Sequence, residues 1–289
     1  MCAKNGIIFK RSEDLLEEKY WELLKKLRLI DDAFFSICFD DNAKDVEYIL
    51  RIILDKDDLK VLSVQTQKSV ENIYGRSVRF DVFATDTQGK LYNIEVQRAD
   101  SGAIPQRARY NSVMLDYHEL KKQSDFKELP ESFVVFITEN DVIGADEKIY
   151  HIDRIVKETG KEFGDGTHII YVNGSFKGEK GKPLDDLIHD FFCENPTEMR
   201  HKQLADRVAF LKENRGEVSK MSSIIAEFFK DEIAEAAQKA AEKAEAEGKE
   251  KKLIENIRSL METTKWTAQQ AMDALKIPAN EQEKYLALI

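Results

Sequence analysis

The apolar positions near the start of the chain recur at helical spacing. Four of them follow the pattern i, i+3, i+4, i+7: Val46, Ile49, Leu50 and Ile53. This spacing puts one apolar stripe along a helix and turns it towards a core. We therefore predict two core-facing helical stretches, roughly Glu13 to Leu27 and Asp31 to Leu54, with a break in the second near Asp40-Asp41-Asn42.

From Lys60 the period changes to two, which is typical of strands. Three successive strands are predicted: one through Val61 and Val64, one from Ser77 to Asp86, and one from Lys90 to Gln97. In the second and third strands, apolar side chains mostly alternate with polar ones. One face of this sheet is therefore expected to be apolar and the other polar.

A helix is predicted next, near Pro105 to Lys122, since proline suits the first turn of a helix. The β-branched and aromatic run from Phe133 to Thr138 follows and predicts a fully buried strand. The resulting order, αβββαβ, indicates an α/β fold with a mixed central sheet flanked by helices. A later strand at His168 to Val172 and a helix at Leu184 to Phe192 are also predicted.

The C-terminal part has a different composition. Residues 226–256 are rich in Ala, Glu and Lys without Pro, which favours a long solvated helix. Thr267 and Gln270 form a capping-box pattern, and Pro278 separates two short helices. We expect a main domain with N-terminal helices over residues 1–215, the long helix over 216–262, and a small helical hairpin over 263–289, packed on Trp266 and Tyr285.

Composition limits the kinds of partner. Of the 289 residues 42% are hydrophobic and 34% charged, as in folded globular proteins. The formal net charge of -10 argues against a protein that coats nucleic acid, because neutralising phosphates requires a surplus of cations. It leaves room for an enzyme that holds DNA with a local basic strip and a bound metal ion.

The cysteines and the N-terminus predict a cytoplasmic location with no membrane partner. Cys2, Cys38 and Cys193 are widely spaced and form no C-x-x-C pattern, so they offer neither a zinc framework nor a disulfide set. Residues 1–10 lack the apolar stretch of a signal peptide, and no run approaches 18 apolar residues.

The predicted hairpin of the second and third strands carries the candidate chemistry. Glu95 and Gln97 are two residues apart on one strand, so their side chains leave the same face. A three-residue loop, Thr87-Gln88-Gly89, with Gly89 in the left-handed conformation, pairs Asp86 with Lys90 and sets Asp81 opposite Glu95. A two- or four-residue loop without a bulge would instead set Asp81 opposite Ile94, on the other face.

Two carboxylates in that arrangement repel each other unless a cation or a proton lies between them. Hydrolysis of a phosphodiester by a hard cation requires such oxygen ligands and a polar group that positions water. The hairpin therefore predicts a divalent metal site at Asp81 and Glu95. The alternative is an ordinary solvated sheet face, with the acids paired to Arg79 or Lys90.

Several segments resemble the PD-(D/E)XK nuclease family transposases, also described as recombination-promoting nucleases. They are Arg79-Phe80-Asp81-Val82, Ile94-Glu95-Val96-Gln97, Arg107-x-x-Tyr110, Val134 to Thr138 and Leu187-Ile188-His189-Asp190-Phe191. The likeness runs from about Asp31 to Leu211. It implies a restriction-endonuclease-like core, Mg²⁺- or Mn²⁺-dependent endonuclease action on DNA, and a setting in recombination, mobile elements or defence.

The resemblance implies roles for individual residues. Asp81 and Glu95 match the metal-binding acids, and Asp32 or Asp31 is the candidate for an additional acid from the first helix; the alternative is a charge at a helix N-terminus. Phe80 replaces the proline of the superfamily name, with little consequence. Gln97 replaces its lysine, although E-x-Q is the usual form in this branch, so we expect an active enzyme that depends more on its metal.

Arg107 and Tyr110 lie three apart on one helical face and are candidates for contacting a DNA phosphate; helix-to-sheet packing is the alternative. The C-terminal hairpin is expected to serve packing or homo-oligomerisation, with DNA contact as the alternative. The acidic charge and Gln97 leave open a second function: a nuclease fold without chemistry that binds nucleic acid or protein. A transposase that also joins strands is a third possibility.

Overall fold

The chain divides into two compact units, residues 1–225 and 226–289, which are described separately. The computed structural model describes residues 21–72, 74–120, 123–214 and 251–286. The predicted helix at Glu13 to Leu27 is therefore described only over residues 21–26, which are helical, and most of the predicted long helix lies outside the described residues.

The first unit is built on a mixed six-stranded sheet in the order β1-β2-β3-β4-β8-β5. Its strands are β1 (Val61–Val70), β2 (Val78–Asp86), β3 (Leu91–Gln97), β4 (Ser132–Thr138), β5 (Ile149–Ile152) and β8 (Thr167–Asn173). Strands β3, β4 and β8 are parallel, and the other neighbours are antiparallel. A separate two-stranded sheet pairs β6 (Ile155–Val156) with β7 (Lys161–Glu162).

Helices cover the sheet. They are α1 (residues 21–26), α2 (Asp32–Phe39), α3 (Ala43–Leu54), α4 (Pro105–Glu119), α5 (Pro183–Phe191) and α6 (Lys202–Glu213). Helix α2 packs against β1, β2 and β3, α3 against β1 and α5, and α4 against β4 and β8. Every residue of β4 is buried, so both faces of the sheet are covered there. In the described part of the chain, no helix is both long enough and apolar enough to cross a membrane.

The predicted α/β fold, with its mixed sheet and flanking helices, is confirmed. The structure also shows three short strands that the pattern did not indicate, β5, β6 and β7. They contain two to four residues each and are mostly exposed, so they carry no run of alternating burial to recognise.

The β2–β3 hairpin has the predicted register. Gly89 has φ of 81°, its N–H donates to the Asp86 carbonyl (3.1 Å), and the Asp86 N–H donates to the Lys90 carbonyl (3.0 Å). Val82 then pairs with Ile94. The left-handed glycine closes the turn with one extra residue, and this offset decides which side chains share a face.

The second unit is a small helical cluster. It contains α7 (residues 251–264), α8 (Ala268–Ala274) and α9 (Ala279–Leu286). The Thr267–Gln270 capping box is present. Tyr285 is 7% exposed and packs with Ile257 and Met272, but Trp266 is 42% exposed, so the prediction that Trp266 belongs to this core is wrong.

Asp190, which is fully buried at the end of α5, ties the following loop to the sheet domain. Its carboxylate accepts backbone hydrogen bonds from Arg200 (2.7 Å) and His201 (2.8 Å) and contacts the His201 ring (2.9 Å). Burial alone would raise the pKa of Asp190, but these hydrogen bonds hold it below its usual range. This residue therefore holds the start of α6 in place.

We predict that Asp190→Ala lowers the free energy of unfolding by about 2–4 kcal/mol, because two buried N–H groups lose their acceptor. Urea unfolding monitored by circular dichroism measures this loss. The control is Asp206→Ala on the exposed surface of α6, where the side chain pairs with Lys202 in solvent. Equal stability of the two variants would contradict the anchoring role.

Candidate active site

Asp81 and Glu95 meet on neighbouring strands, as the hairpin register requires. Continuing the Val82–Ile94 pairing by one residue sets Asp81 opposite Glu95. Asp81 is 5% exposed and Glu95 is 0% exposed. Because both acids are buried, the alternative interpretation, in which they lie on a solvated sheet face, is wrong. Lys90, one of the partners suggested for them, pairs with Glu131.

A third acid comes from α2. The carboxyl groups of Asp32 and Asp81 are close enough to share a hydrogen bond. Asp31, the alternative candidate, is occupied elsewhere: it accepts hydrogen bonds from the Arg28 backbone N–H (2.8 Å) and from the Arg98 guanidinium (3.1 Å). The structure thus brings Asp32, and not Asp31, to the hairpin acids.

The polar contacts of this acidic cluster leave one oxygen unused. Asp81 Oδ2 accepts a hydrogen bond from the Val96 N–H (3.1 Å), and Glu95 Oε2 accepts one from Arg107 (3.1 Å). Within the part of the chain that the structure describes, Glu95 Oε1 is buried and has no hydrogen-bond partner. A buried carboxylate oxygen without a donor costs free energy that a bound ligand can recover.

Burial and mutual repulsion both disfavour charge in the cluster. Burial, followed by the charges of Glu95 and Asp32, raises the pKa of Asp81 well above its usual range. Burial also raises the pKa of Glu95 to about 7, although Arg107 opposes the shift, and it raises the pKa of Asp32 against the pull of Arg79. Without a cation, the cluster therefore retains protons near neutral pH.

These residues suit a hard divalent cation. All three acids offer oxygen ligands, which Mg²⁺ and Mn²⁺ prefer, and the unpartnered Glu95 Oε1 is available to one. Asp81 and Glu95 lie on rigid strands, and Asp32 lies in the first turn of a helix. The donor set and its rigid support thus fit a divalent cation.

Gln97 lies at the end of β3 against a glycine. A Cβ added to Gly102 would collide with Gln97 Oε1 and would lie 3.6 Å from the Arg107 guanidinium. Gly102 belongs to a short 3-10 helix, Asp100–Gly102, just ahead of α4. The missing side chain at Gly102 thus makes room for Gln97 beside Arg107, a dependence that the spacing of polar residues did not reveal.

Tyr110 does not contact the acidic cluster but the connection between β1 and β2. Its hydroxyl donates to the Arg76 carbonyl (2.5 Å) and accepts from the Asn72 amide (3.3 Å). It therefore anchors the β1–β2 connection, while Arg107, one turn earlier in α4, contacts Glu95. The structure does not join the pair in one contact.

A second group of metal-binding side chain types lies at the end of α5. Donor atoms of His189, Asp190 and Cys193 lie within 4.8 Å of one another. However, Asp190 already accepts the backbone N–H groups of Arg200 and His201. Burial also raises the pKa of Cys193 to about 11, which favours the thiol over the thiolate that metals require. This group is better explained by loop anchoring.

Comparison with known families gives the class of protein. Residues 46–263 match the model of the PD-(D/E)XK nuclease family transposases, and the chain belongs to this family. The match includes the β2–β3 hairpin and α4, whereas Asp32 lies ahead of it. No curated protein and no solved structure is significantly similar to the chain.

We predict that the metal-free protein loses stability as the pH rises from 4.5 to about 7. A raised carboxyl pKa means that the folded state binds protons that the unfolded state has released, so stability is lost between the ordinary Glu value of 4.5 and about 7. The expected loss is on the order of 1–3 kcal/mol.

Glu95→Gln, which is neutral throughout this range, should reduce that pH dependence. Urea unfolding in the presence of a chelator measures it. Glu158→Gln at an exposed site is the matched control and should behave like the wild type. Identical pH profiles for the wild type and Glu95→Gln would show that the pKa of Glu95 is not raised in the folded protein.

Proposed function

We propose that the chain is a Mg²⁺- or Mn²⁺-dependent endodeoxyribonuclease that hydrolyses DNA phosphodiester bonds in recombination, mobile-element or defence processes. The observation that carries the proposal is the convergence of Asp81, Glu95 and Asp32 in a buried cluster with one unpartnered oxygen. Membership of a nuclease family supports the same class of reaction.

Asp81 and Glu95 are proposed as the principal ligands of the cation, with Asp32 as an additional one. When bound, a divalent cation supplies Lewis-acid stabilisation of the charge that develops on the phosphate. Gln97 is proposed to orient the attacking water through its amide, which can both donate and accept hydrogen bonds. Its packing against Gly102 gives that amide a defined place.

Arg107 and Tyr110 are proposed to act in DNA binding by different routes. The Arg107 side chain is 40% exposed while it contacts Glu95, so it is accessible to a phosphate beside the acids. Tyr110 holds the β1–β2 connection, which carries the exposed side chains of Tyr74 and Arg76. We propose that Arg107 and the β1–β2 connection contact the DNA backbone next to the acidic cluster.

A nuclease-like module that binds without cutting is the second candidate function. The net charge of -10 and the glutamine at position 97 favour it. Calorimetric titration with Mg²⁺ separates the two functions, because a pure interaction module has no need to bind the ion at Asp81 and Glu95. The C-terminal helical unit is proposed to mediate homo-oligomerisation in either case.

We predict that Asp81→Asn lowers plasmid nicking on the order of 100-fold or more, because the cation that stabilises charge in the transition state would lose a carboxylate ligand. The same change should raise the unfolding midpoint of the metal-free protein, since it removes one of the repelling charges. Nicking assays with Mg²⁺ and thermal unfolding with a chelator measure the two effects.

Asp206→Asn, an exposed change of the same kind, should alter neither quantity. If Asp81→Asn nicked plasmid at the rate of the wild type, Asp81 would have no role in the reaction.

We predict that Gly102→Ala lowers nicking by up to about 100-fold, because the new methyl group displaces the Gln97 amide from its place. Mg²⁺ affinity should change little, since Gly102 contacts none of the acids in the cluster. Comparing kcat with the Mg²⁺ dissociation constant tests this separation.

The exposed neighbour Ser101→Ala is the matched control and should retain full activity. If Gly102→Ala also retained full activity, the position of Gln97 would not matter to the reaction.

A further inference from the structure

Gln67 interrupts the regular backbone of β1 directly beside the acidic cluster. Its φ is 51°, in the left-handed region, although it lies within a ten-residue strand. Its neighbours remain paired, Thr66 with Val82 and Lys68 with Phe80, so the register places Gln67 across from Asp81. A residue other than glycine seldom adopts this conformation in a strand, because it strains the backbone.

The Gln67 side chain reaches the cluster. Its Nε2 donates to Ser36 Oγ (2.5 Å) and lies 3.4 Å from Asp32 Oδ1. Its other amide atom, Oε1, is bonded to the same carbon, about 2.2 Å from Nε2. Among the residues that the structure describes, Gln67 Oε1 is buried and has no hydrogen-bond partner.

Among the described residues around the cluster, three buried oxygens have no hydrogen-bond partner, Gln67 Oε1, Glu95 Oε1 and Asn93 Oδ1, and the Asn93 amide nitrogen also has none. They come from β1 and β3, on either side of Asp81 in β2. A buried oxygen acceptor without a donor is costly, and a strained residue that also carries one requires a compensating interaction. A divalent cation among these oxygens would provide that interaction, because hard cations accept neutral amide oxygens together with carboxylates.

We propose that the Gln67 amide oxygen is a ligand of the cation held by Asp81, Glu95 and Asp32. This inference rests on the proposed metal-dependent function and adds a neutral ligand from β1 to its three acids. The left-handed backbone at Gln67 turns the side chain towards α2 and the cluster, and Ser36 orients the amide through Nε2.

The test is Mn²⁺ binding by the full-length protein, measured by calorimetry and by the electron paramagnetic resonance signal of free Mn²⁺. Gln67→Gly removes the ligand while keeping a backbone that tolerates positive φ, so the fold is not penalised at this position. We expect about tenfold weaker Mn²⁺ binding by this variant. Gln67→Glu retains an oxygen at the same reach and should bind Mn²⁺ at least as tightly as the wild type.

Gln65 provides matched controls, since it is an exposed glutamine two residues earlier in β1. Gln65→Ala should leave the affinity unchanged, and Gln65→Glu reports how much a nearby negative charge contributes by itself. Circular dichroism confirms that each variant is folded.

Two results would overturn the proposal while leaving the function intact: wild-type affinity in Gln67→Gly, or a loss in Gln67→Glu as large as in Gln67→Gly. The second result would show that the amide matters as a donor to Ser36 and Asp32. If the wild type bound no Mn²⁺, or if Asp81→Asn bound it as tightly as the wild type, the proposed function would fail and this inference with it.

Discussion

Electrostatic repulsion between carboxylates that the fold brings together is the constraint on which the proposed site depends. Asp81 and Glu95 are 5% and 0% exposed on adjacent strands, and Asp32 lies close enough to Asp81 to share a hydrogen bond. Burial raises the pKa of all three, and Arg107, which contacts Glu95, opposes these shifts without cancelling them. A protein that used these positions only for stability would be better served by apolar side chains, so the cluster points to a bound cation.

The rest of the first unit keeps these acids in place. The three-residue turn with Gly89 sets the hairpin register, and α4 follows β3 closely enough to bring Arg107 onto Glu95. Arg98 contacts both Asp31 (3.1 Å) and Glu139 (2.9 Å), which ties the start of α2 to the end of β4. Asp32, the next residue, is thereby presented to Asp81. The second unit has its own small core and contributes none of the described acids.

The sequence predicts the element order and the register of the β2–β3 hairpin because both depend on local signals. Alternating apolar residues mark β2 and β3, and loop length with Gly89 determines their register. Other features depend on contacts between distant segments: the left-handed Gln67 in β1, the space that Gly102 leaves for Gln97, and the choice of Asp32 over Asp31. Tyr110 shows the same limit, since its spacing from Arg107 suggested a shared role, whereas its hydroxyl contacts Arg76 across the β1–β2 connection.

The most direct measurement is a crystal structure of the protein soaked in Mn²⁺, with anomalous diffraction data to locate the ion. The account predicts an anomalous peak between the carboxylates of Asp81 and Glu95, at about 2.0–2.3 Å from an oxygen of each, typical of metal–oxygen ligation. A crystal that shows Mn²⁺ only elsewhere, for example at His189 and Cys193, or that shows Asp81 and Glu95 on opposite faces of the sheet, would contradict it.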